Sequence, residues 1–253
     1  MAFGSRAFSR EFFDMYHAAV FEALGENAAK YNARIGAILA NAWHKRVESS
    51  ADPAGSKKAK ESYTGGPFSF SDIVRFEFTD EGTVYLYAKN CVSCIDSEQL
   101  LMKEVFMSHD FSKEFFAAYH AAVIEALGDD AARYNAKIGI ILANAWQKKL
   151  SELPADPAEF KKAIEAYMSG PFRFSDIAKF EFNNDGTACL YVKGCDICNG
   201  NELLRSSGKK GSCPISQMVK SAMGKALKTG VELTGSEKPG PVGECYLKYK
   251  ISM

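Results

Sequence analysis

The chain has 253 residues, 47% of them hydrophobic and 25% charged, with 31 Lys plus Arg balanced by 31 Asp plus Glu. That composition suits a globular protein with a substantial core, excludes wholesale disorder, and offers no basic excess from which nucleic-acid binding would be expected. No apolar run approaches the roughly 18 residues needed to span a bilayer, and the opening MAFGSRAFSREFF lacks the continuous apolar stretch of a signal peptide. The expectation is a cytoplasmic protein without a membrane span.

From Phe8 the chain reads FSREFFDMYHAAVFEALGENAAKYNARIGAILANAW, and from Phe111 it reads FSKEFFAAYHAAVIEALGDDAARYNAKIGIILANAW. Trp43 and Trp146 correspond at an offset of 103, and the match continues through a hairpin in each copy. Two long copies point to internal duplication and a pseudo-dimer within one chain, because a solenoid normally shows shorter periods and at least three units. The units are residues 1–107, which is truncated, and 108–253, which is more complete.

Each unit opens on a helix with apolar residues at helical spacing: Phe12, Tyr16, Val20 and Leu24, then Phe115, Tyr119, Val123 and Leu127. Gly25 and Gly128 stand where C-terminal caps are expected. A second helix follows in each, carrying Tyr31, Ile35, Ile38, Leu39, Ala42 and Trp43, matched by Tyr134, Ile138, Ile141, Leu142, Ala145 and Trp146. Gly36 and Gly139 interrupt these helices at a cost of about 1 kcal/mol against Ala, which points to close approach of a backbone or a ligand. In the second unit Asp156, Pro157 and Glu159 start a third helix with Phe160, Ile164, Tyr167 and Met168 on one face. Ser56, Lys60 and Thr64 replace three of those apolar residues in the first unit, and Gly55 replaces Glu159, so the first copy reads as the degenerate one.

Alternating Val74, Phe76 and Phe78, a turn at Asp80-Glu81-Gly82, then Val84 and Leu86 predict an antiparallel hairpin. The second unit repeats it around Asn184-Asp185-Gly186. Each hairpin delivers a Cys-x-x-Cys pair, Cys91 with Cys94 and Cys195 with Cys198. Beyond the second pair the sequence predicts a polar loop from Asn199 to Ser212, a helix from Cys213-Pro214 to Leu227, a short strand from Val231 to Leu233, and a last strand from Glu244 to Ile251.

Two thiolates spaced x-x can occupy two corners of a tetrahedral zinc site, and two more ligands are then required. Cys213 and Cys245 can supply them within the second unit, or Cys91 and Cys94 can do so across the pseudo-dimer. Iron–sulfur clusters accept the same donors. The total of seven cysteines and the missing export signal favour such chemistry, or reversible thiol oxidation, over a disulfide framework. A thioredoxin-like activity is disfavoured, since the pairs do not read as the start of a helix following a strand in a βαβ pattern. His17 and His120 are equivalent, each after a Tyr, and read as satisfied or solvent-facing more readily than as cofactor ligands. No Ser-His-Asp order, phosphate loop or carboxylate pair stands out.

The helix ALGDDAARYNAKIGIILANAW, the strand pair GPFRFSDIAKFEFNNDGTACLYV, the Cys213 helix and the ending GECYLKYKI together resemble the 4-vinyl reductase domain, over roughly Phe111 to Met253. The family's ending usually carries two cysteines with a Gly between them, and here Cys245 stands alone. The resemblance implies an α+β fold of two related units, each with helices packed on an antiparallel hairpin or sheet. It also implies a pocket for a small apolar or tetrapyrrole-like ligand between the second helix and the sheet, around Tyr134, Ile138, Gly139 and Trp146. The combined expectation is a non-enzymatic binding protein with a cysteine-held metal, zinc before an iron–sulfur cluster. A thiol-based redox sensor or an iron–sulfur enzyme or electron carrier stands as the alternative, and a homo-oligomer is left open.

Overall fold

The structure is a computed structural model that describes residues 9–47, 73–78, 84–89 and 113–252. The expected degenerate helix around Ser56, the pair Cys91 and Cys94, and the linker with His109 lie outside the described residues. The fold is α+β. Among the described residues, no helix is long and apolar enough to cross a membrane.

Helix α1 (Arg10–Leu24) starts at Ser9, whose Oγ accepts from the Phe12 amide at 3.2 Å, and ends at Gly25, which takes φ 55°. A single tight turn leads into α2 (Ala28–Val47). Helix α3 (Lys113–Leu127), the turn at Gly128 and α4 (Ala131–Lys148) repeat this arrangement.

The two helix pairs exchange partners. Helix α1 packs mainly on α4, and α2 packs mainly on α3, with little contact inside either pair. At the centre α1 meets α3 through rings: Phe12 and Phe116 lie 5.1 Å apart, Phe13 and Tyr119 5.3 Å, and Tyr16 and Phe116 5.4 Å. Tyr31 of α2 meets its counterpart Tyr134 of α4 edge-on at 5.8 Å. Phe12, Phe13, Tyr16 and Phe116 are fully buried. Burial of each such ring contributes roughly 1.5–3 kcal/mol, so this aromatic seam binds the first unit's helices firmly to the second unit.

The first hairpin forms as expected, β1 (Ile73–Phe78) antiparallel to β2 (Val84–Lys89). In the second unit, α5 (Pro157–Ser169) begins at Asp156, whose carboxylate accepts from the Glu159 amide at 2.9 Å, while Glu159 accepts in turn from the Ala155 amide. Strands β3 (Ile177–Phe182) and β4 (Thr187–Lys193) join β5 (Gly230–Glu237) and β6 (Cys245–Ser252) in an antiparallel sheet of order β3-β4-β6-β5. Phe180, Ala188, Leu190, Val192, Leu247 and Tyr249 alternate with polar residues and line its buried face. Helix α5 packs on β3, and α7 (Pro214–Ala226) packs on both β5 and α4.

The expected loop from Asn199 to Ser212 is corrected by the structure. Residues Asp196–Ser206 form a helix, α6, that packs on α3. Ile197, Asn201 and Leu204 form its buried stripe, and Gly208 at φ 73° follows its end. The sequence Asn199-Gly200-Asn201 reads locally as a turn, yet the glycine serves a contact: a Cβ at Gly200 would lie 2.7 Å from the Ala117 carbonyl oxygen.

Candidate thiol site

Strand β4 ends at Lys193, and Gly194 at φ 68° turns the chain into Cys195, the N-cap of α6. The amide of Cys195 donates to Gly243 O at 3.0 Å, tying this turn to the loop before β6. Cys198 follows inside the first turn of α6, Cys245 opens β6, and Cys213 is the N-cap of α7, with Ser216 Oγ donating to the Cys213 carbonyl at 2.7 Å. The Cys-x-x-Cys pair stands at the start of a helix that follows a strand, but that strand belongs to a sheet whose pairings are all antiparallel, so the βαβ setting of a thioredoxin-like site is not what surrounds it.

Three separate segments thus bring four cysteines into electrostatic contact. Cys198 takes hydrogen bonds from Cys195 and then from Cys245, which pull its thiol well below the ordinary range despite burial, and Lys238 and Arg205 add to the effect. Cys195 and Cys245 are pushed up, first because each donates to Cys198 and then by burial. Burial, followed by the charge on Cys198, raises Cys213 to about 11. All five described cysteines, Cys189 included, are free thiols, and Cys189 lies half-buried on β4 outside this group. Among the described residues, no group of three or more His, Cys, Asp or Glu side chains stands arranged to hold a metal ion.

A buried polar chain connects the cluster to the first unit. Tyr16 bonds His120 Nδ1 at 2.7 Å, and reciprocally Tyr119 bonds His17 Nδ1 at 2.6 Å. His120 Nε2 faces two acceptors, Ser212 O at 3.1 Å and Asn201 Oδ1 at 3.2 Å, so Nε2 carries the proton and Nδ1 accepts from Tyr16. Asn201 Oδ1 also accepts from the Ser212 amide at 2.8 Å, which holds the residue preceding Cys213. Both histidines are held near 4 by burial, so both are neutral at pH 7. The repeated Tyr-His dipeptide was the signal for this pairing, but a local reading could not show that each His would meet the Tyr of the other copy.

Beside the thiols lies a cavity of about 330 Å³ lined by Cys198, Cys213, Cys245, Asn135, Arg205 and Lys238, among others. A larger cleft of about 700 Å³ runs past Arg34, Gly128 and Lys209. Tyr134, Ile138, Gly139 and Trp146 line neither of them. Ile138 and Trp146 are core, Trp146 lies edge-on to Phe160 at 5.6 Å, and its indole Nε1 has no partner. Gly139 faces α7, where a Cβ would come 2.8 Å from the Met218 amide nitrogen and 2.8 Å from the Pro214 carbonyl oxygen. The residues that do face the smaller cavity include Asn135, Asn201, Ser212 and Lys238, and sequence reading singled out none of them.

No family model, curated protein or solved structure matches this chain. The functional reading therefore rests on the site.

Proposed function

We propose that the chain is a small-molecule-binding protein of the 4-vinyl reductase type whose second unit holds a zinc ion in the thiolates of Cys195, Cys198, Cys213 and Cys245. The observation that carries this reading is the convergence of four thiols from three separated segments, joined through Cys198. In the thiol form Cys195 and Cys245 bond Cys198 while Cys213 interacts with it by charge alone; zinc binding would displace the protons, and four sulfurs match the donor set of a closed structural site. Lys238 and Arg205, which already favour the thiolate at Cys198, would offset part of the negative charge. Such an ion would cross-link the starts of α6, α7 and β6. Free thiols throughout the described residues agree with a reducing, cytoplasmic setting. The apolar-ligand element of this reading rests on the family resemblance alone, since Trp146 is fully buried and lines neither cavity.

Native mass spectrometry of untagged protein tests the metal directly. The expected result is one zinc mass above the bare chain, lost in Cys198→Ser together with faster proteolysis of the segment after Cys198. A visible chromophore with the mass of an iron–sulfur core would assign the same thiols to a cluster. A second reading, a thiol switch, is favoured by Cys195 and Cys198 standing at the N-terminus of α6. In it an external disulfide takes two electrons and the two thiol protons, Cys198 bonds to Cys195 or Cys245, and two small thiols are released. A mass equal to the bare chain, falling by two hydrogens under oxidised glutathione, would select the switch and remove the zinc.

A further inference from the structure

The duplication supplies an internal template for the first unit. In α4, Asn135, Gly139 and Ala143 follow one another a turn apart on one face, and all three are buried. Helix α7 crosses that face with its backbone: a Cβ at Gly139 would lie 2.8 Å from the Pro214 carbonyl oxygen and 2.8 Å from the Met218 amide nitrogen. Asn32, Gly36 and Ala40 are the same residue types at the same places in α2, and all three are exposed. A Cβ at Gly36 would meet nothing within 4 Å. Among the described residues α2 packs mainly on α3, which leaves this face open.

The face persists in a unit that has lost other apolar contacts. Where the second unit has Phe160, Ile164 and Met168, the first has Ser56, Lys60 and Thr64. Along α2, by contrast, Asn32, Gly36, Leu39 and Ala40 are identical to Asn135, Gly139, Leu142 and Ala143. Glycine is a poor helix former, and with open space beside it no contact among the described residues requires its missing side chain. Ala29 and Ala33, also exposed, extend the small-residue side toward the start of α2. A second helix can therefore come as close to α2 as α7 comes to α4.

Charge narrows the occupant. Helix α2 contains Lys30, Arg34, Lys45 and Arg46 and no Asp or Glu. Two copies of α2 meeting there would bring like charges together. Nor does a second copy have α7 to lend, since that helix is packed between α4 and β5 of its own unit and itself carries Lys220 and Lys225.

We propose that the exposed face of α2 docks an amphipathic helix of a partner protein, laid across Gly36 as α7 is laid across Gly139 and carrying Asp or Glu on its flanks. The proposal is independent of the thiols and of any metal they hold.

Fluorescence-anisotropy titration of the full-length protein tests it. The probe is a labelled peptide of the Pro214–Ala226 sequence with Lys220→Glu and Lys225→Glu. Saturable binding is expected, weakened by added salt and about tenfold tighter than binding of the same peptide with its lysines intact. Gly36→Leu blocks the close approach and is expected to lower the affinity by about tenfold or more, while Gly36→Ala weakens it less. A melting curve of each variant reports its folding. If the acidic peptide does not bind folded wild-type protein, or binds Gly36→Leu equally well, the face is a remnant of the duplication and the proposal is overturned. Sedimentation showing a dimer of the chain alone that Gly36→Leu dissociates would give the face to a second copy and overturn it as well.

Discussion

His17 is buried against α3, its Nδ1 on Tyr119 and its ring 4.6 Å from Phe21 and stacked 5.7 Å from Phe13. Burial lowers its pKa from the model-peptide value of 6.5 to about 4, so the folded chain refuses a proton that the unfolded chain accepts. Above pH 6.5 neither state is protonated there and the group makes no pH-dependent contribution. As pH falls from 6.5 toward 4 the unfolded state binds more protons, and stability drops by an amount on the order of 3 kcal/mol. Urea unfolding at pH 7.5 and at pH 5 checks this. The wild type should lose clearly more stability across that interval than His17→Gln; parallel losses would place the effect on carboxylates. At this scale the sequence shows that His17 and His120 are equivalent and adjacent to tyrosines. Their satisfied state was legible as an expectation, but their partners, across the two copies, were not.

Among the elements, the paired glycines offer an internal control. Gly139 is pressed against α7, with a Cβ there 2.5 Å from that of Gln217 and 2.8 Å from two backbone atoms. Gly36 holds the same place in α2 and has nothing within 4 Å. Ala at 139 forces α4 and α7 apart and should cost about 1–3 kcal/mol. Ala at 36 meets no obstacle and should stabilise by up to about 1 kcal/mol through helix propensity. Thermal melts of the two variants beside the wild type should shift in opposite directions, and a shared direction would refute the packing argument. Most elements were readable because their apolar residues keep strict helical or strand spacing and their caps are explicit, as at Asp156-Pro157 and Gly128. Helix α6 was not, because Asn199, Gly200 and Asn201 have poor helix propensity; contact of Ile197 and Leu204 with the core, and of Gly200 with α3, overrides it.

On the scale of the whole molecule, the first unit's helices are part of the second unit's core. Phe12 stacks edge-on against Phe172 at 4.9 Å, and Tyr16 holds the histidine that braces the Asn201 and Ser212 contacts beside the thiols. A chain beginning at residue 108 would uncover the aromatic faces of α3 and α4. It should lose cooperative unfolding or self-associate, as gel filtration and near-ultraviolet circular dichroism would report. A monomeric fragment with a sharp transition would show that the second unit folds independently.

The duplication, the amphipathic faces, the hairpins and the cysteine spacing are all written in local pattern, since side-chain period and turn chemistry depend on near neighbours in the chain. Those patterns also gave two ways to complete the set around Cys195 and Cys198, with Cys213 and Cys245 or with Cys91 and Cys94. Tertiary packing brings the first of these together by placing the start of α7 and the start of β6 beside the start of α6. It also decides that α1 sits on α4 and α2 on α3. For the helices the reason is that near-identical copies present near-identical apolar faces, so local preference does not distinguish a partner within a unit from its equivalent in the other, and only the packing of the assembled core makes that choice.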